Sequence, residues 1–429
     1  MPTVGIQMQQ FARLADSATR VRGVKRLRRA FVPGTLADRT TAEIRAFVEG
    51  DDPITGRPFM EGVIAELTRP LDEEDLKGLT FERETPRVVE PDTEENLRRL
   101  FEENRWTDFL PIVLPTEERV EAMLAGTSHA PDEIVGQLRP TWNREPWEFT
   151  VEKVAVNAVL AGARPEYFPV VLALAASGVT ARQSSTSSIA SGAVVNGPIR
   201  DEIGMNSGTG AFGPYNHANA TIGRAYGLLS QNLQGGSVPG ETFVGSLGNN
   251  FTYNNFTFAE NEEGSPWEPL HVSHGFARED SAVTPISPLW NYVVTWGVRP
   301  TWREKLLDML GAHDPHAGIV LFVDPSAARL IAEREGFPTK ESLADWIVEN
   351  ATKRAGQWWD HFTTELFARP LADQGIEPWA TRAKAHPDER FRTFEPGTIE
   401  IVVVGGETNN AFATASGRHF TTVSVDEWR

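Results

Sequence analysis

The spacing of hydrophobic positions changes along the chain and divides it into three parts. Up to about residue 125, apolar residues recur at helical intervals among charges. In TEENLRRLFEENRW (93–106), Leu97, Leu100 and Phe101 share one face, as in a surface helix. Pro and Gly in DDPITGRPF (51–59) predict a turn between helical pieces. Beyond residue 126 continuous apolar runs take over. Ala193-Val-Val195 reads as a strand, a helix begins near Ala218, and FTYNNFTF (251–258) alternates like a half-buried strand. From about 281 a β–α unit is plain. GIVLFV in HAGIVLFVDPSAARLIAEREG (316–336) is a buried strand, Asp324 or Ser326 caps the next helix, Pro325 occupies its first turn and Gly336 ends it. KESLADWIVENATKRAGQWW (340–359) reads as a further helix. TIEIVVVGGETNN (398–410) reads as a strand running into a Gly-rich turn. The alternation predicts an α/β fold: a largely parallel mixed sheet flanked by helices, with a charged helical N-terminal region. The expected divisions are a helical region over 1–125, a main Gly/Asn-rich α/β domain over 126–280 and a second α/β domain over 281–429.

Composition narrows the function classes. A chain of 429 residues supports more than one core. Its net charge of −18 argues against nucleic acid and against anionic membrane surfaces as partners. Cysteine is absent, which removes thiolate chemistry, disulfides and Cys-based metal sites. The Arg/Lys-rich start has no apolar core of signal-peptide length. The most apolar stretch, 154–179, is interrupted by Arg164, Pro165, Glu166 and Pro169, well short of the roughly 20 residues of a membrane span. The expectation is a soluble, cytoplasmic protein.

Charge patterning then points to candidate chemistry. Between Tyr167 and Gly240 the acids are Asp201 and Glu202 alone, in a chain with 59 Asp and Glu. Within this segment Gly208-Thr-Gly210-Ala-Phe-Gly213 matches G-x-G-x-x-G. The strand ends too early for a dinucleotide fold, Pro214 follows at once, and no acid appears until Glu241, so no Rossmann-type cofactor is expected. The surrounding Asn206, Asn216, His217 and Asn219 offer donors to a small polar or anionic substrate, and Arg200 and Arg224 offer it charge. Alternatively these amides satisfy turns and caps of a tightly folded loop. In FAENEEGSPWEPLHVSHGF (258–276), Glu260, Glu263 and His271 are the candidates for proton transfer. His271 and His274, beside carboxylates, are the candidate ligands of a divalent metal. His313 and His316 form a second pair in HDPH, for which turn chemistry is the commoner reading. Gly405, Gly406 and Thr408 follow a strand, where α/β sheets bind anions.

The segments TVEKVAVNAVLAGARPEYFPVVLA (150–173), VVNGPIRDEIGMNSG, FGPYNHANATIGRA and FAENEEGSPWEPLHV resemble the UGSC-like family, over roughly 113–280 and more faintly over 315–410. That family is named for a selenocysteine-or-cysteine–Gly–Ser–Cys motif, and the resemblance implies an α/β scaffold and a small-molecule site. It also implies thiol or selenol chemistry, for which this chain has no cysteine. Without thiol or dinucleotide, a lyase or hydratase acting by acid–base chemistry is expected ahead of an oxidoreductase. The alternatives are a metal-dependent enzyme using the His/Glu segment and a non-catalytic binding or scaffold subunit. A homo-oligomer is a further expectation. If Arg224 and Glu260 act on substrate, alanine at either removes turnover and spares stability.

Overall fold

The computed structural model describes the chain apart from residues 1–2, 22–23, 25–26, 37–38, 78–85, 138–147, 183–188, 235–238, 241–242, 246, 290–291, 316 and 420. Helices α1 (Val151–Ala161) and α2 (Phe168–Ala176) are buried along most of their length, and the Thr150 side chain caps α1 by accepting from the Lys153 amide. Strand β1 (Ala190–Asn196), helix α3 (His217–Gln234) and strands β2 (Thr257–Ala259) and β3 (Ala282–Leu289) follow. The chain continues through β4 (Tyr292–Trp296), α4 (Trp302–Gly311), β5 (Ile319–Val323), α5 (Pro325–Arg334) and α6 (Lys340–Asn350). Next come β6 (Thr352–Arg354), α7 (Ala355–Trp359) and β7 (Arg390–Arg392). Strands β8 (Ile399–Val403), β9 (Ala411–Ser416), β10 (Arg418–His419) and β11 (Val423–Ser424) close the fold.

Pairing reveals a repeat that the sequence pattern hides. β1 runs parallel to β2 and antiparallel to β3, and β5 runs parallel to β8 and antiparallel to β9. Each half then gives its next strand to the other sheet: β4 pairs with β9, and β10 with β3. The strand orders β2-β1-β3-β10 and β8-β5-β9-β4 are therefore equivalent, with β11 also on β3. Residue 280, the expected end of the main domain, lies just before β3, an interior strand of the first sheet.

The side chains explain why two sheets form. Val194, Phe258 and Ile286 of the first sheet pack on Val320, Phe322, Val402, Ala413 and Ala415 of the second. The opposite face of the first, including Ala193, Val195 and Val283, lies under α1, α2 and α3. That of the second, including Leu321, Ile401 and Val403, lies under α4, α5 and α6. The layers run helix, sheet, sheet, helix. An α/β fold is present, but the single, largely parallel sheet is corrected to several small mixed sheets. A strand buried on both faces has the same apolar run whether helices or a second sheet cover it.

Three local expectations change. The helix expected over 340–359 stops at Asn350; Ala351 is extended, and β6 pairs antiparallel with β7 before α7 begins. FTYNNFTF forms a 3-10 turn over Asn250–Tyr253, and its strand is confined to β2, because Asn255 and Phe256 take positive φ of 47° and 41°. The N-terminal region contains the expected helices, such as Glu94–Glu103, and also a parallel strand pair, Gly5–Met8 with Arg29–Val32. Residues 105–111 strap this region to α3: Gln231 donates to the Thr107 carbonyl at 2.7 Å and Asn232 to the Trp106 carbonyl at 3.1 Å.

Between α6 and β8, residues 352–393 form an inserted module with its own small core around Trp358, Trp359 and Phe391. Among the described residues no helix is long and apolar enough to cross a membrane.

Candidate functional site

Most of the expected site residues meet at one junction, beyond the carboxyl ends of β1, β2 and β8. The Asn261 amide donates to the Val403 carbonyl at 2.8 Å, Asn261 Nδ2 to the Gly405 carbonyl at 3.2 Å, and the Gly405 amide to the Ser207 carbonyl at 2.8 Å. These bonds bring the 206–213 loop, the 260–271 segment and the 405–406 turn together. Gly406 is required by close approach, since a Cβ there would lie 2.3 Å from Thr209 Oγ1. Thr408 is exposed at the edge of the same turn.

The junction is dense with charge, and nearly all of it is internally matched. Glu260 is fully buried; its carboxylate accepts from Asn196 Nδ2 at 2.6 Å, the Leu270 amide at 2.7 Å and Lys340 Nζ at 2.6 Å. Glu262 accepts from the Gly197 amide at 2.8 Å and pairs with Arg200 Nε at 3.1 Å. Gly197 makes this turn at φ 81°, and a Cβ there would meet the Asp280 carbonyl oxygen at 2.0 Å. Arg200 also donates to the Glu260 carbonyl and pairs with Glu263 at 2.8 Å, holding the exposed Glu263 carboxyl below its usual range. His271 differs from these groups. It is fully buried, both ring nitrogens lack a hydrogen-bond partner, and Glu262 Oε1 lies 3.9 Å from Nδ1.

The remaining expected residues are committed elsewhere. Arg224 grips Asp108 of the strap through Nε at 3.1 Å and Nη2 at 2.8 Å and donates to the Pro111 carbonyl. Burial pushes the Asp108 carboxyl up, but Arg224 and Arg182 outweigh it and the net shift is down. Asn206, Asn216 and Asn219 fold the loop: Asn219 donates to the Asn206 and Ala211 carbonyls, and Asn216 to that of Gly204. His217 is exposed at the start of α3, 5.8 Å from the Tyr167 ring. His274 bonds Thr422 at 2.6 Å and faces Glu400 at 3.6 Å, neither of which contacts His271. Among the described residues no three His, Asp or Glu side chains are grouped as a metal ion would need. Buried His313 bonds the hydroxyls of Ser416 and Thr414 at 2.9 and 2.8 Å, and burial with nearby Lys353 pushes its pKa down to about 4. His316 lies outside the described residues.

A second site, not anticipated, opens where the inserted module meets α4 and the end of α6. It is a cleft of about 490 Å³ lined by Asp308 and Gly311 of α4, Asn350, Thr352 and Lys353, Gln357, Asp360 and His361, and Arg390, with Leu307 as its main apolar contact. That volume falls in the range of small-molecule pockets. Lys353 Nζ donates to the Gly311 carbonyl, which fixes it at the end of α4. Burial lowers its pKa, with Asp314 opposing. His361 faces the cleft with Nδ1 4.0 Å from Asp314, and Thr363 Oγ1 donates to that carboxylate. Burial and Lys353 lower the His361 pKa against Asp314 and Asp360, which favours a neutral ring at neutral pH. A base backed by a carboxylate, beside an ammonium of weakened basicity, is the chemistry of proton transfer.

No family model matches the chain, and neither a curated protein nor a solved structure matches it. The sequence signals for the cleft were HDPH, whose Asp314 backs His361, and the Asp360-His361 pair. Reading 340–359 as one helix concealed the ribbon that brings them together.

Proposed function

We propose that the protein is an enzyme acting on a small polar metabolite by acid–base chemistry of lyase or hydratase type, with its active site in the cleft beside the inserted module. The observation that carries this reading is the Asp314–His361 pair opening onto that cleft next to Lys353. In this mechanism the neutral His361 ring accepts a proton from the carbon next to an activating group, and Asp314 stabilises the imidazolium that forms. The Lys353 ammonium gives a proton to the departing group. The net change is elimination of H–X across a carbon–carbon bond, or the reverse addition, and needs neither thiol nor dinucleotide. The UGSC-like resemblance enters this proposal only as a source for the scaffold.

The test is to incubate the protein with defined pools of small polar metabolites and follow conversion by NMR. Conversion that His361→Asn removes, with the melting temperature unchanged, supports the reading. Conversion that survives His361→Asn, or none in any pool, overturns it.

A further inference from the structure

Charge in the cleft is sorted by structural element. Its cations, Lys353 and Arg390, come from the β6–β7 ribbon. Its free carboxylates, Asp308 and Asp360, come from α4 and from the residue that ends α7. The end of α6 at Asn350 lies on the cleft and adds to the negative side, whereas the end of α4 is already taken, its Gly311 carbonyl accepting from Lys353 Nζ. Unsatisfied carbonyls at helix ends favour a cation.

None of these four charged side chains forms an ion pair with another side chain among the described residues. Arg390 spends two donors on Thr352, Nε to the hydroxyl at 2.7 Å and Nη2 to the carbonyl at 2.8 Å, and both acceptors are neutral. Charges buried elsewhere in the molecule are matched, as in Arg224 with Asp108 and Arg200 with Glu262. Two positive and two negative groups held apart in one polar cleft are complementary to neither a simple anion nor a simple cation. They fit a molecule that carries both charges a few bonds apart.

We infer that the cleft binds a small zwitterion bearing an ammonium and a carboxylate, of which an α-amino acid is the simplest case. The carboxylate lies towards Arg390 and Lys353, and the ammonium towards Asp308, Asp360 and the carbonyl end of α6. This inference rests on the cleft being the active site and adds the substrate class.

Saturation-transfer NMR against the standard L-amino acids, each with its decarboxylated amine and its 2-hydroxy acid, tests the inference. At least one amino acid should bind more tightly than either single-charge analogue. Asp308→Asn with Asp360→Asn should weaken the amino acid and the amine about tenfold, the scale of one charge-assisted hydrogen bond, and leave the hydroxy acid unchanged. Arg390→Gln should do the reverse, and Arg390→Lys should restore part of the loss. All three positions are exposed, so melting temperatures should stay unchanged. Binding of no amino acid, equal binding of a single-charge analogue, or indifference to these variants overturns the inference. Amino-acid binding with no His361-dependent conversion removes the enzyme reading and leaves the zwitterion site. Conversion of an uncharged compound does the opposite.

Discussion

The junction at the strand ends and the cleft beside the inserted module contain the same kinds of residue, and they are put to opposite uses. At the junction Glu260, Glu262, Arg200 and Lys340 are drawn out of water and satisfy one another. In the cleft the exposed Asp308, Asp360 and Arg390 have no ionic partner among the described residues, and the buried Lys353 is held by the neutral Gly311 carbonyl. A buried charge must be matched, because an unmatched one costs several kcal/mol. A charge at a solvent-filled cleft has no such requirement and remains available to a ligand. Residue type alone therefore does not separate a scaffold from a site; the state of the partners does.

The largest effect expected from this contrast is on turnover. His361→Asn should reduce any conversion by about 10²- to 10⁴-fold, the usual contribution of one general acid–base group. Because the His361 pKa is lowered, the acid limb of the pH–rate profile should lie below the ordinary histidine value near 6.5. A profile whose acid limb lies above that value would contradict the assignment of His361 as base.

Next in size is the stability of the junction. Glu260→Ala leaves Lys340 without its carboxylate and the Leu270 amide without its acceptor, and should cost about 3–5 kcal/mol in chemical denaturation. Asp360→Asn in the cleft should stay within about 0.5 kcal/mol, as a surface substitution does. Equal costs at the two positions would break the comparison. The Glu260 result also separates two readings of that residue, since a substrate-binding role requires stability to survive the substitution.

How much of this was legible in the sequence follows from the range of each signal. Strand β5, the Asp324 cap and the start of α3 were readable because they depend on neighbouring residues. Asp324 accepts from the Ala327 amide three residues on, as a cap must. The segments around Asn206, Glu260 and Gly405 were read as separate candidates for substrate donors, proton transfer and an anion contact, and the structure brings them to one junction. What joins them is backbone bonding between distant strand ends, which leaves no trace in local pattern. Arg224 looked free because its partner, Asp108, is 116 residues away. The exchange of β4 and β10 between sheets was unreadable for the same reason. The cleft needed the β6–β7 ribbon, whose strands, Thr352–Arg354 and Arg390–Arg392, are three residues each and far apart in the sequence.

A smaller effect separates burial from function on the cleft side of the molecule. His313 is buried against Thr414 and Ser416 and has its pKa pushed down to about 4. Between about pH 6.5 and 4 the unfolded chain therefore holds a proton that the folded chain does not. Stability should fall as pH drops through 6.5 and level off below about 4, by an amount on the order of 3 kcal/mol. Urea unfolding at neutral pH and near pH 4.5 measures the slope, and His313→Gln should flatten it. An unchanged slope in that variant would assign the acid sensitivity to other groups.

The smallest effect bears on a junction side chain that its neighbours leave unsatisfied. His271 is enclosed, with two ring nitrogens that no described residue satisfies, although the backbone amide of Leu270 beside it donates to the Glu260 carboxylate. A buried polar group without a partner is destabilising, and an apolar side chain of similar volume removes that cost. If the junction is a closed scaffold, His271→Leu should raise stability by about 1 kcal/mol, read as a shift in the denaturation midpoint at constant slope. If the substitution instead lowers stability, the imidazole contributes packing or an interaction with Glu262, 3.9 Å from Nδ1, that leucine does not replace.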